Sequence, residues 1–195
     1  MRLEERAYSV LIVSAAENFN SSLHALLPDS RFTPVQIETS VTAARQLLLE
    51  RQYDFVIINS PLPDDMGTRL AIDICSQRSS VAMLLIKAEL YSAVFNKVAE
   101  HGVYLLPKPT SRTVISQALD WMIATRECLR KLERKTVSIE DKMQEIRLVN
   151  RAKWLLIEQL KMTEEDAHHY IEKQAMDSCV SKKEIAESLI RTYGS

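Results

Sequence analysis

All six prolines of this 195-residue chain lie within its first 109 residues, and the pattern of the sequence changes at the last of them. Before Pro109, short apolar runs alternate with helical patterns, whereas every later segment is typical of helix. Proline interrupts helix interiors, so its absence after Pro109 leaves room for long helices. The sequence therefore predicts an α/β region followed by an all-α region.

Five apolar runs in the first region are typical of strands that are buried on both faces. They are Tyr8–Val13, Thr33–Glu38, Phe55–Ile58, Ala82–Ile86 and Val103–Leu106. Helical patterns follow them over Asn18–Leu27, from the caps Thr39 and Ser40 to Leu49, over 68–78, over 89–101 and after Pro109. This alternation predicts a (βα)5 doubly wound parallel sheet with functional groups at the carboxyl ends of its strands.

Residues 6–123 resemble the receiver domain of bacterial response regulators, most specifically over Tyr53–Gly67. In that family the third strand ends on an aspartate that accepts a phosphoryl group, and two acidic residues after the first strand hold Mg²⁺. Asn59 lies at the position of that aspartate, and Ser14 and Ala15 lie at the positions of the acidic pair. Lys87 corresponds to the family's switch Ser or Thr, and Lys108 to its lysine. The resemblance places Asp64 and Asp65 on the loop rather than in the metal site.

These substitutions remove what phosphoryl transfer to the receiver needs. The amide of Asn59 is not a competent nucleophile, and Ser14 and Ala15 supply no charge for Mg²⁺. The sequence therefore predicts a degenerate site of net positive charge around Lys87 and Lys108. Two interpretations stay open: the domain is a fixed scaffold, or an anion or an acidic side chain of a regulatory protein partner occupies the site.

A heptad pattern begins at Met122 and predicts a parallel coiled-coil homodimer. Its apolar positions form the predicted dimer seam, which comprises Met122, Leu129, Leu132, Ile139, Met143 and Ile146. Thr125, Thr136 and Asn150 are polar positions in the same repeat. The alternative is that the stripe packs against helices of its own chain. A break in the helix is expected near Thr136–Ser138, where helix propensity falls.

Residues 148–195 have the pattern of three helices. The first is expected over Val149–Leu160. The second is capped by Thr163, with Asp166 three residues on, and the third by Ser181, with Glu184 three residues on.

This last segment resembles the ANTAR domain, the RNA-binding output module of some antitermination regulators. The matching residues are Asn150–Lys153, Leu155, Leu156, Thr163–Ala167, Ala175–Asp177, Lys183–Glu187, Leu189 and Ile190. Two positions depart from the family: Trp154 replaces a common Gly, and Cys179 lies near a common basic residue. The resemblance implies a dimer that binds paired RNA hairpins and stabilises an antiterminator. Trp154 then suggests either additional packing or a stacking surface.

Unpaired loop bases are recognised by stacking and edge hydrogen bonds, while Lys and Arg hold the phosphates. The candidate RNA contacts are Arg147, Arg151, Lys153, Lys161, His168, His169, Tyr170, Lys182 and Lys183. Each has a simpler interpretation as a solvated helix residue, and no third ligand makes a metal site of the histidine pair. Residues 121–195 contain 14 Lys and Arg against 13 Asp and Glu, so RNA binding must depend on a local patch.

The sequence thus predicts a pseudo-receiver domain (1–123), a coiled-coil linker helix (124–146) and a three-helix RNA-binding domain (147–195). No nucleophile–base set or metal cluster is recognisable, so we expect neither an enzyme nor a cofactor. Three distant cysteines indicate a reducing compartment, and the apolar run near the N-terminus is too short for a signal peptide or membrane span. We therefore expect a cytoplasmic protein. The alternatives are a protein-interaction module and a DNA-binding protein.

Overall fold

The computed structural model describes residues 6–77 and 79–194 as an α/β unit followed by helices. The strands are β1 (Tyr8–Val13), β2 (Phe32–Glu38), β3 (Phe55–Asn59), β4 (Val81–Lys87) and β5 (Tyr104–Lys108). The α-helices are α1 (Glu17–His24), α2 (Val41–Glu50), α3 (Thr68–Ser76), α4 (Tyr91–Val98), α5 (Arg112–Leu160), α6 (Glu164–Asp177) and α7 (Lys182–Tyr193). Short 3₁₀ turns flank α4 at Ala88–Leu90 and Ala99–His101.

The five strands form one parallel sheet in the order β2-β1-β3-β4-β5. The inner strands β1, β3 and β4 are buried almost throughout, which explains why their sequences are continuously apolar. Parallel pairing brings the carboxyl ends of these strands to one edge, where Lys87 and Lys108 are partners in register. The predicted doubly wound sheet is confirmed.

Helices cover both faces of the sheet. On one face, α2, α3 and α4 contribute residues such as Ala44, Leu70 and Val98 to a core. On the other face, α1 and the first part of α5 contribute residues such as Leu23 and Ile115 to a second core. Burial of these apolar surfaces, at roughly 25 cal/mol per Å², stabilises the α/β unit.

Met122 belongs to this second core and is fully buried, so its prediction as a dimer-seam residue is wrong. Leu129 is half-buried against the same core, and the Thr125 hydroxyl lies 2.6 Å from the hydroxyl of Tyr104. A heptad pattern produces one apolar stripe on a helix, and here the start of that stripe faces the sheet.

Helix α5 continues without interruption from Arg112 to Leu160, so the break expected near Thr136–Ser138 is wrong. The helix expected to begin at Val149 is the end of α5. Thr136 is accommodated because its hydroxyl donates a hydrogen bond to the Leu132 carbonyl oxygen at 3.1 Å, a pattern that threonine adopts within helices. Low intrinsic propensity costs only a fraction of a kcal/mol per residue and does not end the helix.

The chain divides into two compact units between Lys131 and Leu132, within α5. In the second unit the end of α5 packs with α6 and α7 around a small core of Ala152, Leu156, Ala167, Ile171 and Ala186. Both predicted caps are present: Thr163 accepts from the Asp166 amide, and Ser181 and Glu184 form a capping box. The division into segments 1–123, 124–146 and 147–195 stays a prediction.

An ion-pair cluster joins α5 to the amino ends of β1 and β3, within the first unit. The Asp54 carboxylate accepts hydrogen bonds from Arg126 at 2.9 Å and Arg130 at 2.6 Å, and from the Ser9 amide at 3.1 Å. Glu127 accepts from Arg130 at 2.9 Å and also pairs with Arg6. These charged groups are largely covered, so the pairs are screened less than surface pairs.

Asp54→Asn is therefore expected to lower the free energy of unfolding by roughly 2–3 kcal/mol, because it removes the charge that faces two guanidinium groups. Urea denaturation followed by circular dichroism measures the loss. Asp73→Asn is the matched control, since Asp73 pairs with Arg45 on the exposed surface and should contribute less than about 1 kcal/mol. Equal losses in the two variants would contradict this role of Asp54.

Candidate regulatory pocket and nucleic-acid interface

Three of the predicted pocket residues meet in a hydrogen-bonded chain at the carboxyl edge of the sheet. The Asn59 amide donates to the Ser14 hydroxyl at 3.0 Å, and its carbonyl oxygen accepts from the Lys108 ammonium at 2.8 Å. Lys108 also donates to the Ser60 carbonyl oxygen. Ser14 and Asn59 are buried. The neutral amide thus bridges a hydroxyl and a cation.

Lys87 adds a second positive charge beside this chain. It ends β4 in register with Lys108 and is exposed. Burial, followed by the neighbouring charge of Lys87, lowers the pKa of Lys108 from its ordinary value. Ala15 is exposed and offers no polar side-chain atom.

The two aspartates of the β3–α3 loop are engaged elsewhere. Asp64 accepts hydrogen bonds from the backbone amides of Val41 and Thr42, each at 2.9 Å, at the start of α2. These amide hydrogen bonds, that of Val41 first, lower the pKa of Asp64. Asp65 accepts from the Gly67 amide at 2.6 Å. Their place on the loop follows the expectation from sequence, although the use of Asp64 to cap α2 was not foreseen.

Among the described residues, no three His, Cys, Asp or Glu side chains converge as metal ligands would. The ligands that Mg²⁺ prefers are anionic oxygens, and the Ser14–Asn59–Lys108 chain contains none. Its chemistry suits an anion, because ammonium groups are donors without acceptor capacity.

The predicted RNA contacts all lie in the second unit, and those on α5 differ in exposure. Arg147 and Arg151 are exposed and one helical turn apart, so they share a face of α5. Lys153 is only partly exposed and forms an ion pair of 3.2 Å with Glu164. Lys161 is exposed in the turn between α5 and α6, with a left-handed backbone (φ 54°).

Trp154 lies on the same stripe as Arg147 and Arg151, because the spacings of four and three residues repeat along one helix face. Its side chain is 70% exposed, an unusual position for so large an apolar surface. It was not among the predicted RNA contacts. The signal in the sequence was a tryptophan three residues after Arg151, and only the fold shows that this side chain stays uncovered within the second unit.

Three of the candidates on α6 and α7 lie around one carboxylate. Glu172 accepts from Lys182 and lies 3.3 Å from His168 and 3.8 Å from His169. The hydrogen bond from Lys182 lowers the pKa of Glu172. Tyr170 is half-buried against the core of the second unit, which leaves less of its ring for stacking. Lys183 is partly exposed.

Four predicted seam residues lie in the second unit and are exposed. Leu132, Ile139, Met143 and Ile146 are each between 50% and 59% exposed. Helices in water seldom present four large apolar side chains on one face at heptad positions without a partner. These four residues are the part of the predicted dimer seam that is exposed and could pair with a second copy of the chain.

Known proteins are similar to the second unit and to most of the chain. The ANTAR domain family model matches residues 138–190. The transcriptional regulatory protein PdtaR of Mycobacterium tuberculosis is 28% identical over 141 residues, which cover 72% of this chain and 69% of that protein. The same match is found in PdtaR of a second strain of that species.

Solved structures resemble the first unit. The signal receiver domain of an HD domain-containing protein from Pseudomonas fluorescens Pf-5 is 26% identical, with a TM-score of 0.55, covering 65% of this chain and 93% of that one. The non-phosphorylated HemR receiver domain from Leptospira biflexa has the same fold, at 22% identity and a TM-score of 0.52, covering 60% of this chain and 94% of that one. In the part of the chain that the structure describes, no helix is both long and apolar enough to cross a membrane.

Proposed function

We propose that this chain, with its receiver-like domain and its match to the ANTAR domain at 138–190, is an antitermination regulator that binds tandem RNA hairpins as a dimer. The exposed stripe of Arg147, Arg151 and Trp154 on α5 carries the proposal. Guanidinium groups contact phosphates and bases, while a tryptophan ring stacks on an unpaired loop base. These three residues form a local patch, so the domain can bind RNA there although its net charge is close to zero.

The exposed apolar residues of the seam support the proposed dimer. A parallel pairing of α5 through Ile139, Met143 and Ile146 would cover these side chains. Two ANTAR domains in one dimer would bind two hairpins of one RNA. The second binding event is then intramolecular, which raises the overall affinity without a new contact.

The receiver-like domain is proposed to act without aspartate phosphorylation. Asn59 stands where the phosphoryl acceptor would be, and its amide already bridges Ser14 and Lys108. Ser14 and Ala15 offer no carboxylate to a divalent cation. Control of the protein therefore rests on a ligand or a protein that prefers one conformation of this domain.

Arg151→Ala and Trp154→Ala are each expected to weaken binding to a tandem-hairpin RNA by about tenfold or more, because the first removes a charged contact and the second a stacked base. Fluorescence anisotropy with labelled RNA measures the loss, with a scrambled strand of equal composition as reference. Lys173→Ala is the matched control, since Lys173 is exposed on α6 outside the predicted contacts. If wild-type protein bound both RNAs equally, the RNA function would be wrong; if all three variants bound alike, only the assigned surface would be.

Met143→Glu is expected to convert the dimer to a monomer, because two carboxylates would face each other in the seam. Sedimentation equilibrium should give twice the monomer mass for the wild type and the monomer mass for the variant. Met176→Glu serves as control, since Met176 is 77% exposed and lies outside the seam. A wild-type protein that stays monomeric at high concentration would rule out the seam.

Incubation with acetyl phosphate and Mg²⁺ is expected to leave the intact mass of the wild type unchanged. Asn59→Asp should also remain unmodified, because a nucleophile alone does not restore the Mg²⁺ ligands. A receiver domain with an intact aspartate, treated in parallel, is the positive control. Addition of one phosphoryl group to the wild-type protein would contradict the proposed loss of phosphorylation.

A further inference from the structure

The α/β unit contains a cleft of about 600 Å³ next to Lys108, between α1 and the start of α5. Its floor includes Leu85 of β4, and one rim is formed by the connection from β5 to α5. Clefts of this volume accommodate small organic molecules. None of the functions proposed above uses this space.

The lining of the cleft is apolar over most of its surface and includes two cationic residues. Phe19, Leu23 and Leu26 from α1 and Ile115 from α5 provide the apolar walls. Lys108 and Arg112 provide the charge, and none of the described residues that line the cleft is acidic. A cavity with this polarity is complementary to an anionic group attached to an apolar body.

Both cations retain capacity for a ligand. Lys108 donates to two neutral oxygens, of Asn59 and Ser60, and an ammonium group has three donors. Arg112 is exposed, and within residues 6–77 and 79–194 its guanidinium has neither a hydrogen bond nor an ion pair. A planar guanidinium binds a carboxylate through two parallel hydrogen bonds.

We propose that this cleft binds a small amphipathic carboxylate, with its anionic group between Lys108 and Arg112 and its aromatic or aliphatic body among Phe19, Leu26 and Ile115. The apolar body covers surface that otherwise faces water, which favours binding. The carboxylate provides a counter-charge that the described surroundings of Lys108 lack. This site is independent of RNA binding, and it would give the receiver-like domain a chemical signal in place of a phosphoryl group.

Isothermal titration of the full chain with 2-naphthoate and with octanoate tests the proposal, with 2-naphthamide and octanamide as uncharged counterparts of the same shape. At least one acid should bind in the micromolar to low millimolar range, and its amide should bind about tenfold more weakly or not at all. Which acid binds distinguishes an aromatic from an aliphatic body. If neither acid binds, or if amides and acids bind equally, the proposal is wrong.

Two variants locate the site. Arg112→Gln should weaken binding of the acid by about tenfold. Lys97→Gln, on the exposed end of α4, should leave this affinity unchanged. Ser22→Trp should fill the cleft and abolish binding, whereas Ser21→Trp, at the exposed neighbouring position that does not line the cleft, should leave it intact. Unchanged near-ultraviolet circular dichroism verifies folding, and Arg112→Gln still decides the matter if Ser22→Trp fails to fold. Equal affinities of variants and controls would overturn the assignment.

Discussion

The ion pairs of Asp54 hold α5 against the amino ends of β1 and β3, and α5 takes part in both units of the chain. In the first unit, α5 completes the core on one face of the sheet and forms a wall of the cleft. In the second, it carries the exposed seam and the Arg147–Trp154 stripe, and it packs with α6 and α7. A helix of 49 residues gains most of its stability from such packing rather than from intrinsic propensity. A fixed start of α5 is therefore a condition for the core on that face of the sheet.

Features determined by neighbouring residues could be predicted from the sequence. The buried strands and the caps at Thr163 and Ser181 depend on local patterns, and the structure has them where the patterns indicate. The position of Met122 could not be predicted in this way, because a heptad stripe packs equally well on a sheet or on a second helix. Thr136 was misleading for a different reason: its weak propensity is outweighed by an unbroken ladder of backbone hydrogen bonds on both sides.

The candidate site was predictable to the extent that topology determines it. The carboxyl ends of parallel strands meet at one edge, and the resemblance to receiver domains indicated that Ser14, Asn59 and Lys108 lie there. The contacts of the other side chains depend on their directions, which tertiary packing determines and local patterns do not. Asp64 turns to the start of α2, Lys153 to Glu164, and Trp154 to solvent. The role proposed for Arg112 depends on its position beside the cleft. No local sequence pattern predicts that cleft.

The residues Ser14, Ala15 and Asn59 place no carboxylate at this edge of the sheet, and this affects the electrostatics around Lys108. Asn59 offers Lys108 a carbonyl oxygen, which replaces water as a hydrogen-bond acceptor without neutralising the charge. The lowered pKa of Lys108 reflects burial of that charge next to Lys87. A bound anion would interact with a cation that has no compensating carboxylate among the described residues, and in a partly desolvated position this attraction exceeds its value in water. The substitutions that disfavour Mg²⁺ and a phosphoryl acceptor thus make the same edge favourable to an anionic ligand or an acidic side chain. The proposed lack of phosphorylation and the proposed preference for an anion would then have a single electrostatic cause.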